Sequence, residues 1–156
     1  MTQTLSPSTV QVLEIAKDIE IAASIDIVFE SILEQLGPLN ETPDGKSLAL
    51  VLEAWPGGRW FRDLGPGRGH LWGHVQAIRP NDLLEIHGPF AMSGPTINHM
   101  LWRLKEEQGI TTIKFSHRAV GLIPDGFLNQ DNVNRGWAHI NNCIQKLALM
   151  KKETRK

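Results

Sequence analysis

Six histidines, one cysteine and five tryptophans are the side chains of this 156-residue sequence whose spacing invites a chemical reading. His70 and His74 stand four apart, a metal-binding spacing on a helix. On a strand they share a face but lie about 13 Å apart at about 3.3 Å per residue, too far for one ion. His87, His99 and His139 fall in separate segments, and with a single Cys no zinc-like clustering is legible, so no metal site is expected. Cys143 comes three residues after Ile140 and one before Ile144, at the edge of an apolar stripe, where a packed, inert thiol is favoured over a nucleophile. Pro56-Gly57-Gly58 and Gly65-Pro66-Gly67-Arg68-Gly69 are glycine-rich but lie between strand-like segments, which makes them turns rather than phosphate loops. No cofactor is called for. His117 is the strongest polar candidate: a neutral imidazole in an interior could orient a ligand carbonyl or exchange a proton with it. Against that stands the commoner role of a hydrogen-bonded core histidine.

These residues need elements to position them, and the clearest runs from Asn129 to Lys152. Val133, Trp137, Ile140, Ile144 and Leu147 recur at spacings of four, three, four and three, which places them on one face of a helix. Asn129 or Asp131 could cap its start, and Lys146, Lys151 and Lys152 complement its negative end. Gly136, Asn141 and Asn142 are poor helix formers, so packing against something large must hold it.

Upstream, Val10–Ala22 reads as a strand. Ser24 then offers an N-cap to a short amphipathic helix carrying Ile25, Val28, Phe29, Ile32, Leu33 and Leu36, ended by Gly37-Pro38. From Ser47 the texture is that of short strands between turns: Leu48–Trp55, Arg59–Leu64, Gly69–Ile78, Leu83–Gly88, Thr96–Glu106 and Ile110–Val120. The Gln108-Gly109 turn sets a register. If Glu107 pairs with Ile110, then Leu104 opposes Ile113, Trp102 opposes Phe115 and Met100 opposes His117, on one face that is mostly apolar and therefore inward. His70, Trp72 and His74 form one row of their strand. Leu71, Val75 and Ile78 suit a core better, so the histidine row is expected outward, with Trp72 as an exposed patch. Trp55, Trp60, Trp102 and Trp137 could line an aromatic cavity, although core packing explains any one of them alone. Glu53, Arg59 and Arg62 flank the first hairpin and could pair at its mouth.

Length and composition fit one domain, 10–152, behind a flexible leader of residues 1–9. A net charge of -1 offers no footprint for nucleic acid or anionic membrane. One cysteine suits a reducing compartment, and neither a signal peptide nor a membrane-spanning run is legible, so a cytoplasmic location is expected.

Several motifs, in order along the chain, resemble a known family. They are Ile19-Glu20-Ile21-Ala22-Ala23-Ser24 with Ile27-Val28-Phe29-Glu30, Glu53-Ala54-Trp55-Pro56-Gly57-Gly58-Arg59-Trp60-Phe61, Gly73 to Pro80, Lys114-Phe115-Ser116-His117, and Arg135-Gly136-Trp137. Together they resemble the START-like (SRPBCC) superfamily, in particular the branch related to the C-terminal domain of the activator of heat-shock protein 90 ATPase. The resemblance covers about Ile15 to Met150. It implies an α+β helix-grip fold (START-like or Bet v 1-like): a curved antiparallel sheet of six to seven strands around a long C-terminal helix, with one or two short helices after the first strand. It also implies a cavity between sheet and helix for an apolar molecule. Asn132, Asn134, Asn141 and Asn142 make this helix more polar than the family's usual one.

The expected function is accordingly that of a binding protein for a small hydrophobic or aromatic ligand. The expected lining is Trp55, Trp60, Met100, Trp102, Phe115, His117, Trp137, Ile140, Asn141 and Ile144, with no catalytic residues. Two alternatives come from other classes: a cyclase- or dehydratase-type enzyme using His117, and a chaperone-interaction module using an exposed Trp72. A protein partner or a homodimer also stays open. Fold alone decides none of these.

Overall fold

The computed structural model describes residues 9–124 and 130–155. Residues 1–8 of the leader, the Asn129 cap and most of the connector before the last helix lie outside the described residues. The order is β1 (Gln11–Ile21), α1 (Ile25–Leu36), β2 (Val51–Leu52), β3 (Arg59–Asp63), β4 (Gly69–Arg79), β5 (Leu83–Gly88), β6 (Thr96–Glu107), β7 (Ile110–Gly121) and α2 (Gln130–Thr154). The strands form one antiparallel sheet in the order β1-β7-β6-β5-β4-β3-β2.

The β6–β7 hairpin has the register read from its turn. Leu104 faces Ile113, Trp102 faces Phe115 and Met100 faces His117, and all six are buried. Gln108 and Gly109 both take positive φ, 53° and 78°, the backbone twist that lets a two-residue turn match the twist of its strands. Helix α2 lies with its predicted stripe inward: Val133, Trp137, Ile140, Ile144 and Leu147 are buried together with Asn141 and Ala148. Each such side chain contributes about 1.5–3 kcal/mol on burial, which outweighs the poor propensity of Gly136 and the asparagines.

Helix α1 follows Ser24, whose extended backbone (φ -69°, ψ 156°) starts the helix while its hydroxyl bonds to Asp26 rather than to a backbone N–H. It buries Ile27, Val28, Phe29, Ile32 and Leu36 and ends at Gly37. The end of α2 is fastened to this region: Lys151 Nζ lies 2.6 Å from Glu34 and 3.3 Å from Glu30, and Lys152 donates to the carbonyl of Ala22 at 2.8 Å.

Two expectations are corrected. The strand Leu48–Trp55 shrinks to Val51–Leu52, because Leu48 and Leu50 donate their N–H groups to Asn40 and Gly37 in the segment after α1 instead of to a strand. The row of β4 expected outward does not stay outward: Trp72 is buried and Leu71 is 40% exposed, while Val75 is buried as expected. The cause is two interruptions of register. Trp60 pairs with Gly73 and Phe61 with Leu71, leaving Trp72 as an extra residue; Val75 pairs with Ile86 and Ala77 with Glu85, leaving Gln76 extra. Each bulge switches the inward parity of the strand, which simple alternation cannot anticipate. At the first bulge β4 and β5 approach closely, and a Cβ at Gly73 would stand 2.6 Å from the carbonyl oxygen of His87.

Candidate functional site: an aromatic cleft beneath the C-terminal helix

Between the first turns of α2, the end of α1 and the inner face of β3 and β4 lies a half-open cleft of about 380 Å³. Its walls are Leu36, buried Asn40, Leu48, Trp60, Trp72, Phe90, Val133, Trp137 and Ile140, and its rim carries Glu41, Thr42 and Arg135. Several features fix the aromatic wall. Trp60 donates its indole N–H to the carbonyl of Leu36 at 2.7 Å, satisfying one of the free carbonyls at the end of α1. Trp72 is turned inward by the β4 bulge and meets Trp60 edge-on, with ring centroids 5.2 Å apart. Phe90 completes the wall between β5 and β6. Its centroid lies 5.3 Å from that of Trp72 and 5.8 Å from that of Trp137, the latter pair stacked. Phe90 adopts φ 58°, a left-handed backbone that costs a non-glycine residue about 1–2 kcal/mol, and ring packing on several sides offsets this.

Behind this wall the polar interior is closed. His117 is fully buried; Trp137 donates its indole N–H to Nδ1 at 2.8 Å, and Nε2 lies 2.7 Å from Oδ1 of Asn98. An indole can only donate, so Nδ1 is the acceptor and the ring proton sits on Nε2, donated to Asn98. The Asn98 amide in turn donates to the carbonyl of Pro89 at 3.2 Å. Burial, and secondarily the nearby His99, pushes the His117 pKa down to about 4, so the ring is neutral at ordinary pH. Both nitrogens are engaged and His117 is not among the residues lining the cleft, which leaves it no position from which to exchange protons with a guest there.

The residues expected to form the lining divide into groups. Trp60, Trp137 and Ile140 come together in the cleft. Met100, Trp102, Phe115, His117 and Ile144 are buried in the core beyond it. Trp55 is 57% exposed on the loop before β3, where Glu53 turns back to hold Arg59 through Nε at 2.8 Å and through its backbone N–H. Arg59 holds the Glu53 carboxyl down to about 2. Asn141 is buried on the other flank of α2 beside a shallow depression with Lys17, Asp18 and Ile19. Sequence reading missed Leu36, Leu48, Trp72, Phe90 and Val133 as walls. Val133 carried a signal, since it belongs to the same stripe as Trp137 and Ile140.

The expectation of no metal-ligand cluster is also corrected. Among the described residues Glu41, His139 and Cys143 bring an oxygen, a nitrogen and a sulfur within 4.8 Å of one another. His139 Nε2 lies 2.8 Å from Glu41 Oε1, and Cys143 Sγ lies 3.5 Å from the same oxygen and 3.6 Å from His139 Nε2. The hydrogen bond from His139 lowers the Glu41 pKa, while burial, followed by the Glu41 contact, raises that of the Cys143 thiol. The legible signal was His139 and Cys143 four apart on a helix, one face of one turn. Glu41 arrives from a loop about a hundred residues earlier, where spacing says nothing.

Sheet, grip helix and cleft together define the class: the chain has the helix-grip fold of Bet v 1-like proteins. Solved structures similar to it include an uncharacterized protein from Rhizobium leguminosarum, with a TM-score of 0.69 and 16% identity over 91% of this chain and 97% of that one. CalU16 from Micromonospora echinospora matches with a TM-score of 0.60 and 15% identity over 94% and 91%. Ara h 8.0201 matches with a TM-score of 0.60 and 14% identity over 90% and 99%. At these identities the likeness establishes fold only. No family model and no curated protein matches the sequence. No helix among the described residues is long and apolar enough to cross a membrane.

Proposed function

We propose that this protein binds a small apolar or aromatic molecule in the cleft beneath α2. The observation that carries the reading is the wall of four aromatic rings, Trp60, Trp72, Phe90 and Trp137, around about 380 Å³ of space. That volume falls within the range of about 300–1,000 Å³ usual for small-molecule sites, and a mostly apolar lining with a few polar rim groups is their usual chemistry. Flat, rigid rings that meet edge-on and stacked favour a planar guest over a flexible chain. Thr42 and Arg135 at the rim suit a guest with one polar end turned outward.

The cyclase or dehydratase reading loses its proposed acid-base group, since both His117 nitrogens are engaged away from the cleft. The chaperone reading loses the exposed Trp72 that was to support it. Membership of the branch related to the heat-shock protein 90 ATPase activator rests on the motif series alone, and a reducing, cytoplasmic setting fits the single free thiol.

The test is a titration with 1-anilinonaphthalene-8-sulfonate and a panel of two- and three-ring aromatics, read by tryptophan fluorescence and by native mass spectrometry. Saturable one-to-one binding that quenches Trp emission and is lost when Phe90→Asp is introduced is the expected result. Uniform failure across the panel, or binding indifferent to that substitution, overturns the reading.

A further inference from the structure

Beside the cleft mouth, Glu41, His139 and Cys143 form a cluster with the composition and spacing of a three-ligand metal site. We propose that these residues bind a single zinc ion, leaving one coordination position open at the edge of the cleft. The inference stands on this cluster and is independent of any guest in the aromatic space.

Geometry carries it first. A tetrahedral zinc with bonds of about 2.0–2.2 Å to nitrogen and oxygen and about 2.3 Å to sulfur sets ligand-to-ligand edges of about 3.4 Å for nitrogen to oxygen and about 3.6 Å for the edges to sulfur. The observed edges to Cys143 Sγ, 3.5 Å from Glu41 and 3.6 Å from His139, already have those lengths. Only the edge from Glu41 to His139, a 2.8 Å hydrogen bond, must open, by about half an ångström, as a shared proton gives way to the ion. Because all three edges are near the required values together, the ion needs a small side-chain adjustment and no movement of α2.

Chemistry carries it second. His139 and Cys143 lie one turn apart on a packed helix, so two ligands are held by a rigid element. Glu41 is held by the segment after α1, where its bridge with Ser47 closes a small loop. A thiolate and a carboxylate would neutralise the charge of a divalent ion, and a mixed sulfur, nitrogen and oxygen set suits zinc better than magnesium or calcium. Binding converts the Cys143 thiol to a thiolate and releases its proton to solvent, while neutral His139 binds through Nε2 as the tautomer whose single ring proton is on Nδ1, so that a proton held between Nε2 and Glu41 moves to Nδ1 by exchange with water.

Position adds the last point. Glu41 lines the cleft, and so does Ile140, the neighbour of His139. The cluster therefore borders the mouth of the aromatic space through Glu41, and an open position turned that way would let water or a donor atom on a guest complete the tetrahedron. Three protein ligands with one open position is the pattern of zinc sites that engage a substrate or ligand, in contrast to closed four-ligand structural sites.

The protein stripped with a chelator should take up one equivalent of cobalt(II), used as a spectroscopic stand-in, with a thiolate-to-metal charge-transfer band in the near ultraviolet and the intense visible bands of a four-coordinate ion. Zinc should displace it one for one. Cys143→Ser should abolish the charge-transfer band, and His139→Gln or Glu41→Gln should weaken zinc binding by more than about 100-fold, since even outer-shell partners are worth about 10–100-fold. His87→Gln, on the outer face of the sheet, should change nothing. Circular dichroism of each variant establishes that it folds. Absence of the charge-transfer band in the unaltered protein, or stoichiometry that follows His87 instead of His139, overturns the proposal. So does a result in which the three substitutions lower only thermal stability, which would make the cluster a hydrogen-bonded latch between loop and helix.

Discussion

The indole N–H of Trp137 on α2 meets Nδ1 of His117 on β7 at 2.8 Å, in a part of the core where both residues are buried. This one bond ties the helix to β7, the strand next to the edge strand β1, and fixes the tautomer of the histidine. It also explains why a histidine can occupy an otherwise apolar face: each ring nitrogen has a protein partner, so the cost of burying a polar ring is met locally.

Replacing Trp137 by Phe keeps an aromatic ring but leaves Nδ1 of His117 without a donor. A loss of about 2–4 kcal/mol is expected from the unsatisfied acceptor and the space left by the smaller ring. Urea denaturation of the variant against the unaltered protein measures it, and a loss below about 0.5 kcal/mol would show that the bond contributes little.

Acid should destabilise the fold through His117. Its folded pKa, lowered to about 4, lies below the ordinary value of 6.5, so between these values the unfolded chain takes up a proton that the folded one refuses. The contribution is fully present above about pH 6.5, falls as the pH drops toward 4, and amounts to something on the order of 3 kcal/mol. Unfolding free energies at pH 7 and pH 4.5 should differ less in His117→Gln than in the unaltered protein. An equal difference in both would place the acid sensitivity elsewhere.

Gly136 lines the cleft, and a Cβ built there meets nothing within 4 Å. Gly136→Leu should therefore fill the cleft while improving the helix by about 0.7–1 kcal/mol of propensity. Retained or raised melting temperature together with at least tenfold weaker binding of 1-anilinonaphthalene-8-sulfonate is expected. Unchanged binding would move the site away from this cleft.

Gly73 faces the opposite constraint, with the His87 carbonyl 2.6 Å from where its Cβ would stand. Gly73→Ala should cost about 1–3 kcal/mol as β4 and β5 are forced apart. Since the adjacent bulge turns Trp72 inward, its emission should also shift to the red. A stable variant with unaltered emission would show that the bulge does not depend on that approach.

Much of this architecture is legible in the sequence where one periodicity runs unbroken. The stripe of α2 and the β6–β7 register are set by Trp137, Ile144 and the Gln108-Gly109 turn, and all three follow from local rules. Legibility fails where a bulge intervenes, as at Trp72, because one extra residue reverses the parity on which the strand reading rests. It fails again for depth. Trp102 and Phe115 are as inward as predicted, yet Trp137 stands between them and the cleft, with centroids 5.8 Å from Trp102 and 4.6 Å from Phe115. Pattern distinguishes inside from outside but not the first layer from the second. The Glu41, His139 and Cys143 cluster joins a loop to a helix, and no sequence period spans that distance.

The fastenings of α2 also bear on how a guest enters. Trp137 and His139 hold it in its third turn, and Lys151 and Lys152 hold its far end. A rod clamped in this way is stiff between its supports, while its first turns, where Val133 packs into the core, lie outside that span. The cleft lies under those first turns and under Trp137 and Ile140 beside them. An oversized guest therefore loads the first turns of α2 and the Trp137 support together, while the fastening by Lys151 and Lys152 is remote from it.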